Sequence, residues 1–256
     1  MGGSATLTLT ALAGVPNVKE GDDLVGIILS ALEASALALQ AGDVVVLAQK
    51  IVSKAEGRTV DLSAVTPSVR ARELAVASEK DPRVVELILA ESTEVLRSRP
   101  GAIIVAHRLG FVCANAGIDQ SNVGGQGDDR VLLLPKDPDA SSAAIRHELE
   151  NRTGVDVAVL IIDSIGRAWR NGTIGTAIGV SGLPGLLDLR TRPDLYGRPL
   201  QTSELGLADE LASAASLIMG QAAEGRPIVL ARGVPYDRRE GTVRELIRPK
   251  EMDLFR

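Results

Sequence analysis

Apolar residues in this chain come in short runs, and that limits its architecture more than any other feature. The longest, such as Val155 to Ile162 interrupted by Asp156, fall far short of the roughly 20 residues that a membrane-spanning helix requires. Short runs bounded by turn residues read instead as buried strands. Val44 to Ala48, Val131 to Leu134, Val157 to Ile162 and Pro227 to Ala231 fit that description. Aromatic residues are only 2% of the chain (Phe111, Trp169, Tyr196, Tyr236 and Phe255), so the core has to be aliphatic and rich in Ala.

Helical periods lie between these runs. Asp22 can cap a helix whose apolar residues Leu24, Ile27, Ile28, Ala31 and Leu32 recur at helical spacing, and Gly42 would stop it. Ser68 to Ser98 is helical in period with a break at Asp81-Pro82, where Asp caps and Pro opens a second helix. After Pro100-Gly101, the runs Ala102 to Ala106 and Leu109 to Ala114 resemble a hairpin rather than a strand-helix-strand unit. Gly124 to Asp129 is loop by composition, and Ser141 to Arg152 is a helix closed by Gly154. Leu205 to Glu224 returns to helix, with Leu207, Leu211, Ala214, Ala215 and Ile218 on one face.

From Ile165 to Ser203 the pattern changes. Eight of the 26 glycines lie in or beside this segment, together with Pro184, Pro193 and Pro199, and no helical period is sustained. It reads as short strands and long loops, an excursion suited to meeting another subunit. The expected fold class is α+β, a mixed α/β arrangement of mixed or antiparallel sheets with flanking helices. Residues 1–256 would form one domain with the excursion at about 165–205. No Gly-x-x-x-x-Gly-Lys-Ser/Thr occurs, and no Gly-x-Gly-x-x-Gly lies between a strand and a helix, so neither a P-loop nor a Rossmann fold is supported.

Composition excludes several functions. A net charge of −5 argues against a general nucleic-acid binder, and so few aromatics leave little to build base-stacking platforms. Met1 to Ala5 carries no positive segment ahead of an apolar stretch, so no secretory signal is visible. Cys113 is the only cysteine, which leaves no internal disulfide and makes a reducing, cytoplasmic setting the expectation.

Two segments place a carboxylate and small hydrogen-bonding side chains just after an apolar run: Ala114-Asn115-Ala116-Gly117-Ile118-Asp119-Gln120-Ser121-Asn122 and Ile161-Ile162-Asp163-Ser164. Hard divalent cations carrying phosphate oxygens take such ligands, one or two carboxylates plus water. An Asp after a strand also serves as a helix cap or Asx-turn. Lys50, Ser53 and Lys54 follow the Val44 to Ala48 strand, where an ammonium suits phosphate oxygens, or where they form a solvated turn. Arg167 and Arg170 flank Trp169, as carboxylate or phosphate forks or as the rim of a subunit contact. Gln221, near the end of the last long helix, is an amide ligand or an exposed helical residue. Asp209 and Glu210 read as surface or capping charges. His107, His147 and Cys113 lack partners at useful spacing.

Four motifs in order carry a resemblance: Ser53-Lys54-Ala55-Glu56-Gly57, Ala114 to Asn122, Asp163-Ser164-Ile165-Gly166-Arg167-Ala168-Trp169-Arg170, and Ala208-Asp209-Glu210-Leu211-Ala212 through Met219-Gly220-Gln221. From about residue 12 to 248 the chain resembles the coenzyme F420-0:L-glutamate ligases. The resemblance implies a GTP- and metal-dependent ligase that joins L-glutamate to the phospholactyl carboxylate of F420-0, or of its dehydro form, and then adds γ-linked glutamates. It implies an intertwined homodimer without a P-loop, two Mg2+ or Mn2+ sites, and a place for K+. Asp119 and Asp163 would bind one metal, and Ser164 and Gln221 the second. Val15, Pro16, Asn17, Val18, Gln49, Lys54, Asn122 and the stretch from Met219 and Gly220 through Gln221 to Arg226 would face the nucleotide. Ala168 stands where the family pattern leads us to expect proline. Actinobacterial relatives continue into a flavin-binding, nitroreductase-like domain after a segment like Glu251 to Arg256, and no such domain is in this chain.

The chemistry so implied is phosphoryl transfer from GTP to the substrate carboxylate, then attack of the glutamate amine on the acyl phosphate. Lys54 would stabilise phosphate charge and Arg167 or Arg170 would hold a carboxylate, while no residue stands out as general base. Two other classes remain at this stage: a nucleotide- or cofactor-binding regulatory module without turnover, and a metal-dependent phosphohydrolase.

Overall fold

A computed structural model describes residues 4–123 and 129–254. The first half runs β1 (Thr8–Ala11), α1 (Leu24–Ala34), β2 (Val44–Ala48), α2 (Gln49–Ala55), β3 (Thr59–Asp61), α3 (Val69–Ser78), α4 (Pro82–Ala90), β4 (Ser92–Arg99), β5 (Ala102–His107) and β6 (Val112–Ala114). The second half runs β7 (Arg130–Leu132), α5 (Pro138–Thr153), β8 (Ala158–Gly166), β9 (Thr173–Ser181), β10 (Leu187–Asp188), β11 (Glu204–Leu205), α6 (Leu207–Met219) and β12 (Ile228–Arg232). The expected mixed α/β class holds.

A five-stranded sheet in the order β1-β12-β2-β8-β9 forms the centre. Only β2 and β8 are parallel, with Val44 opposite Ala158 and Ala48 opposite Ile162; the other neighbours are antiparallel. Both faces are covered, which is why these strands read as continuous apolar runs rather than alternating ones. Val45, Leu47, Val159, Ile161 and Leu230 pack with Ile28 and Leu32 of α1 and Leu149 of α5. On the opposite face Val44, Val46, Leu160 and Val229 pack with Ala208, Leu211, Ala212 and Ala215 of α6. Each Leu or Ile buried in these layers contributes about 1.5–3 kcal/mol.

A smaller antiparallel sheet, β4-β5-β6, packs Ile103, Val105 and Cys113 against Ala71, Ala75, Val85 and Ile88 of α3 and α4. The hairpin expected before Asp119 is therefore present as β5 and β6. Asp81 and Pro82 start α4 as expected, the Asp81 carboxylate accepting from the Arg83 N–H at 2.8 Å.

Several boundaries differ from the sequence expectation. The helix expected through Ser98 ends at Ala90, and Ser92–Arg99 is strand, because pairing with β5 across two register shifts outweighs local helical period. The cap of α1 is Asp23 rather than Asp22, and the helix ends at Ala34, well before Gly42. Gln49 to Ala55, expected only as polar groups at a strand exit, is the short helix α2. β8 continues past Asp163 to Gly166, and its partner β9 has nine residues where only short strands were expected. The final helix closes at Met219, short of Glu224. β1, four residues long, had no signature in the sequence analysis. The loop expected at Gly124 to Asp129 lies, apart from Asp129, outside the described residues.

Gly175 and Gly179 explain how β9 fits between two helices. A Cβ on Gly175 would sit 2.3 Å from the Ala212 carbonyl oxygen of α6, and one on Gly179 would sit 2.3 Å from the Pro138 carbonyl oxygen of α5. Between β10 and β11 the chain runs out as an antiparallel arm, with Thr191 N–H donating to Leu200 O and Leu200 N–H to Arg192 O, both at 2.9 Å. At its tip Leu195 and Tyr196 are 99% and 90% exposed. No described helix is long and apolar enough to cross a membrane.

Candidate active site

A cleft of about 910 Å³ opens where the parallel strands β2 and β8 deliver their C-terminal ends. Such ends are where open α/β sheets gather polar groups for ligands. Its walls are the segment from Val15 through Pro16 and Asn17 to Val18, the β2–α2 junction with Gln49, Lys50 and Lys54, the Ile162 to Ser164 part of β8, and the stretch from Met219 and Gly220 through Gln221 to Arg226. Asn122 closes the rim, its side-chain N–H donating to the Ala222 carbonyl at 3.3 Å across 100 positions of sequence. Residues named from five separate sequence segments thus line one space.

The β2–α2 junction is ordered by side chains one helical turn apart. The buried Ser53 hydroxyl donates to Gln49 Oε1 at 2.8 Å, which fixes the amide so that Gln49 Nε2 donates to Asp119 Oδ2 at 3.2 Å. The Lys54 ammonium lies 3.4 Å from Asn17 Oδ1, and burial, with the Lys50 charge adding to it, holds its pKa below the usual lysine value.

Asp119 is placed by the turn after β6. Asn115 and Ala116 both take positive φ (53° and 52°), a conformation Asn tolerates and Ala pays for in steric strain. Asn115 Oδ1 accepts from the Ile103 N–H at 3.0 Å and anchors that turn. Asp119 then exchanges two backbone hydrogen bonds with Leu132, at 3.0 and 2.8 Å. Its side chain does not line the cleft directly, but joins it through Gln49 and through Lys50, whose ammonium is 3.2 Å from Asp119 Oδ2.

Asp163 lies inside β8, opposite Thr176 of β9, and is half-buried. Burial raises its pKa to about 6 and the Asp119 charge adds to the shift, while the Ser164 N–H opposes it. The Asp119 charge is thus felt at Asp163, and carboxylates that disfavour each other's ionisation are common at functional sites. Next to them, the Ser164 hydroxyl donates to Gln221 Oε1 at 2.6 Å, and Gln221 Nε2 donates to Ser216 Oγ at 2.8 Å. α6 stops at Gly220, whose φ of +78° turns the chain so that Gln221 faces β8.

Arg167 and Arg170 are exposed in the β8–β9 connection and do not line the cleft; Arg167 donates to the Gly172 carbonyl at 3.3 Å. Trp169 beside them is 86% exposed. Asp209, expected as a surface or capping-turn charge, sits in the first turn of α6 and accepts from the Ala177 N–H at 2.9 Å, and burial raises its pKa, so it ties α6 to β9. The Cys113 thiol is pushed up to about 12, mainly by burial, and stays protonated. Ser216 and Arg130 also line the cleft, and neither has a functional role in the sequence reading. Ser216 had a weak signal, a hydroxyl among the apolar residues of the α6 face.

Residues 14–233 match the F420-0:gamma-glutamyl ligase family, and the chain belongs to that family. It is 46% identical over 252 residues to the coenzyme F420:L-glutamate ligase of Methanothermobacter thermautotrophicus, covering 98% of this chain and 99% of that protein. It is 45% identical to the protein of the same name from Methanopyrus kandleri, over the full length of both, and 41% identical to that of Archaeoglobus fulgidus, over 95% of this chain and 94% of the relative.

Proposed function

We propose that this protein is a GTP-dependent ligase that forms an amide bond between L-glutamate and the phospholactyl carboxylate of coenzyme F420-0, then adds γ-linked glutamates. The observation that carries this reading is the meeting of Asp163, Ser164 and Gln221 with Lys50 and Lys54 in one cleft of about 910 Å³. Family membership and relatives named as coenzyme F420:L-glutamate ligases support the substrate class.

The donor set suits a hard divalent cation, Mg2+ or Mn2+. Asp119 and Asp163 offer carboxylate oxygens, Ser164 a hydroxyl and Gln221 an amide oxygen, and the raised pKa of Asp163 marks negative charge that burial leaves poorly compensated. No group of three or more His, Cys, Asp or Glu is placed to hold a metal among the described residues, so the remaining ligands would be phosphate oxygens and water. Bound there, the cations would supply charge neutralisation at the transferring phosphoryl group.

In this reading the chain's own residues position and screen. Val15 to Val18, Asn122 and the Met219 to Arg226 stretch hold the nucleotide, and Lys50 and Lys54 face its phosphates. The substrate carboxylate attacks the γ-phosphorus and GDP leaves. The glutamate amine then attacks the acyl carbon, phosphate leaves, and the amine proton passes to phosphate or water. Arg167 and Arg170 stand at the exposed β8–β9 turn, where they would meet carboxylates of substrate or product outside the phosphate pocket.

We read the β10–β11 arm as the element that embraces a second subunit in an intertwined homodimer, since Leu195 and Tyr196 are almost fully exposed at its tip. Replacing both by Ser should shift sedimentation from dimer to monomer; an unchanged dimer removes that role for the arm.

The ligase reading is tested by mass spectrometry of an assay containing GTP, Mn2+, F420-0 and glutamate. Glutamylated product should form, with GDP and phosphate released only when both acceptor and glutamate are present. GTP loss without glutamate would indicate a phosphohydrolase, and nucleotide binding without turnover a regulatory module. Asp119→Asn should abolish product while leaving the melting curve close to wild type.

A further inference from the structure

Lys50 occupies an unusual place for a cleft lysine. Its ammonium is 3.2 Å from Asp119 Oδ2, donates to Ser121 Oγ at 2.9 Å, and lies 3.3 Å from the Ser121 carbonyl oxygen. Ser121 Oγ is itself 3.4 Å from Asp119 Oδ1. Asp119 Oδ2 takes a second donor, Gln49 Nε2, at 3.2 Å. The carboxylate best placed to share a cation with Asp163 is therefore engaged by a cation of the chain itself. Lys50 also lines the cleft, its side chain 28% exposed, one helical turn before Lys54.

We infer that Lys50 is an exchangeable counter-cation: it holds Asp119 while the cleft is empty and moves to the nucleotide phosphates when a divalent cation takes its place. The inference rests on the metal and nucleotide reading given above and adds a coupling to it. A lysine ammonium on a flexible stem can change partners without a backbone movement, which a rigid guanidinium fork does less readily.

The thermodynamic consequence is cooperativity. A divalent cation arriving alone has to displace an ammonium from Asp119. A nucleotide arriving alone draws Lys50 away, leaving Asp119 with Gln49 Nε2 as its donor and the repulsion between Asp119 and Asp163 less screened. When both arrive, one exchange serves both, so each tightens the binding of the other by the same factor. A part-exposed ion pair of this kind limits the factor to about twofold to fivefold.

The test measures Mn2+ binding from the electron paramagnetic resonance signal of the free ion, with and without a non-hydrolysable GTP analogue, against protein-free controls for chelation by the analogue. Lys50→Met should bind Mn2+ alone about twofold to fivefold tighter than wild type, and the analogue should tighten its Mn2+ binding less than it does for wild type. Lys50→Arg, which keeps a charge on Asp119, should bind Mn2+ alone no better than wild type. Equal or weaker Mn2+ binding by a folded Lys50→Met protein overturns the exchange while leaving the metal reading intact. Absence of Mn2+ binding by wild type, or wild-type binding by Asp119→Asn, overturns the metal reading and the exchange with it. Thermal melts of each variant establish folding, and Lys50→Gln replaces Lys50→Met if the latter does not fold.

Discussion

Ser164 and Gln221, 57 positions apart, are joined by a 2.6 Å hydrogen bond in which the Ser164 hydroxyl donates to Gln221 Oε1, while Gln221 Nε2 donates to Ser216 Oγ at 2.8 Å. The two bonds choose between the two faces of an amide that is otherwise nearly symmetric, and they aim its oxygen at β8. Ser216 touches no reacting group in the proposed reaction; it positions Gln221. Ser216→Ala should reduce product formation about tenfold. Its melting temperature should stay within a few degrees of wild type, and Ser216→Thr should restore most of the activity. A Ser216→Ala protein with wild-type turnover would show that the amide needs no such anchor.

Lys54 offers a prediction with a pH axis. Its pKa is lowered first by burial and then by Lys50, so it loses its proton at a lower pH than an ordinary lysine. Affinity for a GTP analogue should therefore weaken on the alkaline side before a solvent-exposed lysine would titrate. In Lys54→Met the affinity should be about tenfold weaker at neutral pH, as befits the loss of a charged hydrogen bond. Its alkaline limb should be flatter. Equilibrium binding across pH checks both statements, and an unchanged limb in the variant assigns that limb to another group.

His107 should govern acid stability. The ring is buried and stacked on Phe111 with centroids 5.2 Å apart, and its Nδ1 accepts from the Leu109 N–H at 3.0 Å. Burial lowers its pKa to about 4, against the pull of Glu91 3.7 Å away. Between about pH 4 and 6.5 the unfolded chain binds a proton there that the folded chain does not, so the stability contribution is full above 6.5 and is lost as pH falls toward 4. The total is on the order of 3 kcal/mol. Denaturant unfolding of His107→Gln should show a shallower fall across this window than wild type; equal slopes would point to other groups.

Gly175 links stability to the site. Because a Cβ there would overlap the Ala212 carbonyl oxygen at 2.3 Å, Gly175→Ala forces β9 and α6 apart. A cost of about 1–3 kcal/mol follows from such overpacking. α6 also ends at Met219, two positions before Gln221, so the variant should lose activity beyond what its lowered melting temperature explains. Gly166→Ala, where a Cβ meets nothing within 4 Å, is the control.

The sequence by itself determined the parts that depend on neighbours in the chain. Val44 to Ala48 and Val157 to Ile162 had to be buried strands because a continuous aliphatic run has no polar face to show water. Asp81-Pro82 marked a helix start, and Gly154 with φ +70° a helix end, because caps are local. The resemblance also named Asp163, Ser164 and Gln221 together, and the fold brings all three to one cleft. Pairing was beyond its reach. Ser92 to Ser98 reads as helix by period and is strand because β5 lies beside it; Asp209 reads as a surface or capping-turn charge, and its tie to Ala177 exists only once β9 packs beside α6. The contact of Lys50 with Asp119 spans 69 positions, and local propensity carries no information about which distant carboxylate an ammonium will meet. Only the tertiary structure decided that, because the free energy of such contacts depends on which surfaces the packed sheet brings together.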